Sequence, residues 1–92
     1  MNLKMRRVFS AFGAGDPERG KTLLYDLVSR LEFARRKHQW KGRSAEYALA
    51  AVEGETQELK HAVICNEGPR RVYDEAIDGA VVNLRTAAWE WE

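Results

Sequence analysis

Four acidic residues stand out by type and spacing: Glu55 and Glu58, three positions apart, and Glu75 and Asp78, again three apart. Carboxylates at i and i+3 of a helix project from one face. On a helical wheel Glu55 falls in the middle of the apolar stripe formed by Ala48, Val52, Leu59 and Ala62, with Glu58 at its edge. A charged group on a core-facing stripe is costly unless it is paired or bound to a cation. If the chain folds back at residues 66–69 as an antiparallel helical hairpin, Glu58 comes opposite Glu75 and Glu55 opposite Asp78. Both pairs are symmetric about the same point of the turn, and each residue rises about 1.5 Å on either helix. Four carboxylates then share one small volume and repel by several kcal/mol at an effective dielectric near 20. Divalent cations, raised pKa values or both are required. All-oxygen ligands favour Mg²⁺, Mn²⁺ or Ca²⁺ over zinc. A carboxylate-bridged di-iron site fits less well, because it expects Glu-x-x-His pairs. Neither Glu58 nor Asp78 is a histidine, and His61 lies off the stripe. The bland alternative is a solvated acidic face whose registry is accidental.

Three helices are expected to position these residues. Asp16, Pro17 and Glu18 read as N-cap, first helical residue and an acid facing the macrodipole. Leu24, Leu27, Val28, Leu31, Ala34 and His38 then recur at helical spacing, so a first helix runs to about His38. Ser44 can cap a second, which Asn66, Glu67, Gly68 and Pro69 stop. Pro69 opens a third, with Tyr73, Ile77, Ala80, Val81, Leu84, Ala88 and Trp91 on one broad face, reaching nearly to the C-terminus. Glu75, Asp78, Val82, Arg85 and Trp89 form a second stripe on it, so this helix has two faces to bury. The first twelve residues show no helical period, and residues 6–12 read as a short strand or an extended arm. The expected fold is all-α: an antiparallel helical hairpin plus an N-terminal helix, a four-helix-bundle-like core completed by oligomerisation. Residues 1–15 are an N-terminal arm and 16–92 a single domain.

Composition agrees. A chain of 92 residues with 45% hydrophobic and 32% charged side chains is one small folded domain. At that size it buries only about 60% of its unfolded surface, so association with further copies is expected. Cys65 is the sole cysteine, which excludes a disulfide framework and a cysteine-based zinc site. No apolar run reaches membrane-spanning length, and a cytoplasmic setting is expected. Residues 1–45 carry eleven Lys/Arg against four acids and residues 46–92 four against ten, so one half attracts phosphate and the other cations. Gly15-Asp-Pro-Glu-Arg-Gly20-Lys21-Thr22 matches the phosphate-loop pattern. Asp16 and Glu18 put negative charge where phosphate would sit, and no later segment offers parallel strands. The segment is better read as a helix start.

Glu55-Thr-Gln-Glu58, sixteen residues, then Glu75-Ala-Ile-Asp78 resembles the Glu-x-x-Glu … Glu-x-x-Asp signature of the MazG-like, all-α nucleoside triphosphate pyrophosphohydrolases, to which dimeric dUTPases are related. The resemblance covers residues 37–85: a Trp-containing loop, an Ala-rich helix with the first acidic pair, a short turn, and Tyr73-Asp-Glu75-Ala-Ile-Asp78 leading into an apolar helix. Gly54 departs from the pattern, since members often carry a further acid there that is implicated in activating water. The general base is therefore left open. The resemblance implies hydrolysis of a (d)NTP to its monophosphate and pyrophosphate, and the two apolar faces of the third helix predict a homodimer or homotetramer. It implies Mg²⁺, with Mn²⁺ as a substitute, held by Glu55, Glu58, Glu75 and Asp78, with Glu55 and Glu58 also catalytic. Lys37, Lys41 and Arg43 are the leading candidates for the triphosphate, and Arg70, Arg71 and Arg85 come second.

Trp40 lies in a polar, Gly-containing loop. It either stacks on a nucleobase or caps the helical core or a dimer contact. Tyr47 and Tyr73 read as core. A different class of function is a small helical nucleic-acid- or protein-binding module using the basic segment 30–43. Near-neutral net charge and the acidic second half disfavour nucleic acid.

Overall fold

The computed structural model describes residues 2–92, and its described residues form four helices and no strand. These are α1 (Leu3–Phe12), α2 (Pro17–Lys37), α3 (Ala45–Ile64) and α4 (Pro69–Ala87). The helices expected to start at Pro17, after Ser44 and at Pro69 are α2, α3 and α4. The chain divides into two compact units, Met1–Glu32 and Phe33–Glu92, the boundary falling inside α2.

In the first unit, the strand or extended arm expected at residues 6–12 is instead part of α1. Asn2 caps it, its side-chain oxygen accepting from the Met5 amide at 2.8 Å. Met5, Val8, Phe9 and Phe12 do recur at helical spacing, but ten residues make a helix that is marginal alone. Packing on α2 decides the matter. Phe9 is buried and meets Tyr25 edge-on, ring centroids 6.4 Å apart. Gly20 is buried with its Cα against the Phe9 carbonyl, and a Cβ there would overlap that oxygen. A Cβ at Gly13 would likewise overlap the Asp16 carbonyl. Asp16 caps α2, accepting from the Glu18 and Arg19 amides at 3.0 and 3.3 Å. The phosphate-loop look-alike is thus a helix start whose second glycine admits α1. Its Lys21 lies over the Tyr25 ring, and the Thr22 hydroxyl donates to the Glu18 carbonyl. Gly20→Ala is expected to cost about 1–3 kcal/mol through overpacking. A lowered melting temperature, with faster amide exchange in α1 than in α4, would register it.

In the second unit, Ser44 caps α3 as expected, its hydroxyl accepting from the Tyr47 amide at 3.1 Å. α3 ends in a turn with Asn66 in the left-handed region (φ 53°) and the Glu67 amide donating to the Ala62 carbonyl at 3.0 Å. Gly68 (φ 102°) and Pro69 then start α4, which packs back along α3. Ala48 and Ala62 on α3 and Ile77 and Val81 on α4 are buried. Small residues on α3 let α4 approach closely, and this approach sets the reach between the two acidic pairs. α4 ends at Ala87, short of the C-terminus, where Trp89 adopts φ 58° and the Glu90 amide donates to the Arg85 carbonyl. Among the described residues no helix is long and apolar enough to cross a membrane.

Candidate metal centre

Glu55 on α3 and Glu75 and Asp78 on α4 each bring a carboxylate oxygen to within 4.8 Å of the other two. Glu58 is exposed at the rim, within hydrogen-bonding reach of both Glu55 and Glu75. Hairpin symmetry about residues 66–69 therefore does what the spacing predicts: two i, i+3 pairs meet across the interface.

The electrostatics follow from that geometry. Partial burial, reinforced by the neighbouring Glu58 and Asp78 charges, pushes the Glu55 carboxyl from its ordinary 4.5 up to about 7. Glu75 is deeper, only 2% exposed. Burial and its hydrogen bond with Glu58 raise its pKa, against the opposing pull of Arg71. Arg71 Nη2 lies 3.0 Å from Glu75 Oε1, and its Nε lies 3.7 Å from Glu67 Oε1. The other oxygens, Glu75 Oε2 and Glu55 Oε2, are buried without a hydrogen-bond partner. An unpartnered buried carboxylate oxygen is an expensive feature for a chain to keep. The donor set is all oxygen, anionic and partly orphaned, and such a set fits a hard divalent cation. His61, on the same helix as Glu55, is directed instead to Glu67, with Nδ1 3.7 Å from its Oε2.

The basic and aromatic candidates are distributed differently. Trp40 is buried, 4% exposed, so its ring is part of the core of this unit rather than an open stacking platform. One face lies under the Arg85 guanidinium at 4.4 Å, and Tyr47 meets it edge-on at 6.1 Å. Tyr47 itself is exposed, not core, and Arg43 lies 4.8 Å over its ring. Arg85, a second-choice phosphate ligand from sequence, is 2% exposed and fully engaged. It donates to Glu90 at 2.7 Å and to the His38 carbonyl, tying the exit of α2 to the C-terminal turn. Lys37 is exposed at the end of α2.

Trp40 and Lys41 do share a cleft of about 420 Å³, which Arg35, Gln39 and Trp89 also line and Lys37 and Arg43 do not. Trp89 was legible only as the last member of the second stripe on α4. Its left-handed backbone, a conformation usually left to Gly or Asn, turns the indole out of the helix, 59% exposed and stacked on Trp91 at 5.2 Å. Arg71 had a sequence signal, the i, i+4 spacing of Glu67, Arg71 and Glu75. Compared with protein-family models, with curated proteins and with solved structures, the chain matches none.

Proposed function

We propose that the chain is a Mg²⁺-dependent nucleoside triphosphate pyrophosphohydrolase of the MazG-like kind, with Mn²⁺ able to replace Mg²⁺. One observation carries the reading: three carboxylates from two helices converge within 4.8 Å, and the most deeply buried of them keeps one oxygen unpartnered. Glu55, Glu75 and Asp78 hold the cation, with Glu58 completing the set from the rim. When bound, the cation neutralises triphosphate charge and lowers the pKa of water. The water oxygen bonds to the α-phosphorus as the bond to the bridging oxygen breaks, and pyrophosphate leaves with the electron pair. Glu58 is the carboxylate open to solvent, so it takes the proton and passes it to bulk water. Lys37, Lys41 and Arg43 supply positive charge to the phosphates.

The base end of the nucleotide enters the cleft beside Lys41, with Trp89 as the stacking ring and Gln39 as the amide that can read a base edge. Arg85 lies seven residues after Asp78, hence on the same stripe of α4 and about 10 Å further along it. The cleft beside Arg85 and the carboxylates thus fall along one line of the helix. Leu49, Val63 and Ile64 on α3 and Leu84 on α4 expose apolar surface, which a second copy covers in a cytoplasmic homodimer or homotetramer.

The test is a panel of canonical and modified (d)NTPs assayed for pyrophosphate release with Mg²⁺ or Mn²⁺. Release that needs the metal and yields monophosphate is expected. Orthophosphate as the product, or no turnover of any nucleotide at millimolar substrate, would remove the assignment. A salt-sensitive DNA gel shift in its place would favour the basic segment 30–43 as a nucleic-acid surface.

A further inference from the structure

The two oxygens of Glu75 have different surroundings, and the difference has a use. Oε1 is taken by Arg71 Nη2 at 3.0 Å, while Oε2 is buried, without a partner, in the group formed with Glu55 and Asp78. Arg71 is itself held at its other edge, Nε being 3.7 Å from Glu67 Oε1. Arg71 and Glu75 are i, i+4 on α4, while Glu67 precedes the helix in the turn, so one guanidinium bridges the α3–α4 turn and the first turns of α4. Its side chain is 55% exposed against 3% for Glu75, so it approaches from the solvent side and closes that side of the carboxylate.

We propose that Arg71 is a positioning residue for the cation: it clamps Glu75 Oε1 and thereby presents Oε2 to the metal, which the remaining carboxylates complete. This inference rests on the metal-centre reading given above. Without the clamp, the Glu75 carboxylate is held on that side only by its hydrogen bond with Glu58, the neighbouring negative charges push it towards solvent, and the ligand must be drawn back when the cation binds. Partners that fix a ligating carboxylate from outside typically contribute ten- to a hundredfold to metal affinity. Arg71 also carries positive charge, which by itself weakens cation binding. Its guanidinium is half exposed, however, so that repulsion is screened by water. Ligand orientation is not screened. A lysine keeps the charge but not the planar fork that spans Glu67 and Glu75, so Arg71→Lys restores the function only in part.

The experiment measures Mn²⁺ binding to the intact chain by electron paramagnetic resonance and calorimetry. The proteins are the parent, Arg71→Gln, Arg71→Lys and Arg70→Gln, with helical content checked by circular dichroism. Arg70 is the control because it pairs one turn along the helix with Asp74, at 3.4 Å, rather than with the cluster. Expected are a ten- to hundredfold weaker Kd for Arg71→Gln, an intermediate value for Arg71→Lys and no change for Arg70→Gln. An ion pair that merely stabilises the helix would lower the melting temperature and leave the Kd of the folded protein unaltered, so an unchanged or tighter Kd in Arg71→Gln overturns the proposal. Equal weakening in Arg70→Gln overturns it too, because the effect would then be one of general charge. If Arg71→Gln does not fold, Arg71→Lys decides, and parent-like affinity there counts against the clamp. A parent that binds no Mn²⁺ removes the metal-centre reading and the clamp with it. That outcome is told apart from failure of the clamp alone by the parent arm.

Discussion

Glu55→Gln is expected to lower the rate of pyrophosphate release by about 10²–10³-fold while raising the melting temperature of the metal-free protein at pH 8. The rate loss is the several kcal/mol of transition-state stabilisation that a misplaced cation forfeits. The stability gain follows from linkage. Glu55 has its pKa raised from 4.5 to about 7 in the folded state, and Glu75 is raised as well. Between pH 4.5 and 7 the folded protein therefore binds more protons than the unfolded chain, and stability falls as pH rises through this window. Ionising Glu55 costs folding up to about 3 kcal/mol at 1.36 kcal/mol per pKa unit, less what solvent screening removes for a partly exposed group. Glutamine has no proton to lose. Parent and variant should thus melt together near pH 4.5 and diverge towards pH 8, by several degrees for each kcal/mol. Mg²⁺ at a hundred times its Kd adds about 2.7 kcal/mol to the parent by mass action and much less to the variant. A solvated acidic face predicts something else: a change within about 0.5 kcal/mol, flat with pH and indifferent to Mg²⁺. Calorimetric melts at the two pH values, with and without Mg²⁺, separate the two cases.

Arg85→Ala is expected to be the most destabilising single substitution in the second unit, costing about 3–5 kcal/mol. That combines the cavity left by a large buried side chain with the loss of its charged hydrogen bonds. Arg85 is 2% exposed and donates to Glu90 and to the His38 carbonyl while covering the Trp40 ring. Its loss leaves Glu90 with Arg35 alone, at 3.8 Å, takes the donor from the His38 carbonyl and uncovers one face of an indole. Urea unfolding should give a lower midpoint with an unchanged slope. Trp40 should move towards the emission of a solvated indole, seen by comparison with Trp89→Phe and Trp91→Phe backgrounds. Arg85→Lys should recover only part of the loss, because an ammonium cannot serve three partners in one plane. A substitution that shifts stability by less than about 1 kcal/mol would mean that Arg85 is not the clamp of this unit.

Much of the candidate site was legible from local rules. Asp16, Ser44 and Pro69 mark the starts of α2, α3 and α4 because capping and φ restriction act within a few residues. The meeting of Glu55 with Asp78 and Glu75 follows from helix rise and hairpin symmetry alone, since a short turn leaves two consecutive helices little choice but to pack antiparallel. α1 was not legible in this way. Its ten residues cannot sustain a helix without Phe9 docking against Gly20, and a glycine that admits a neighbouring helix looks, in sequence, like one that admits a phosphate.

Residue type, spacing and caps thus determined which carboxylates meet: Glu55, Glu75 and Asp78, with Glu58 at the rim. The tertiary structure alone decided how they are used, because burial and partner choice depend on groups that arrive from elsewhere in the chain. Trp40 sits in a loop whose composition suggests exposure, yet it is buried, because Arg85, 45 positions later, covers its face. Trp89 reads as helical by period, yet α4 stops at Ala87 and the indole swings out to line a cleft. Glu75 and Asp78 read as equivalent partners, yet only Glu75 is sunk to 2% exposure with one oxygen clamped and the other bare. Local propensities carry no information on desolvation, and desolvation acts on Glu75 most and on Glu55 beside it.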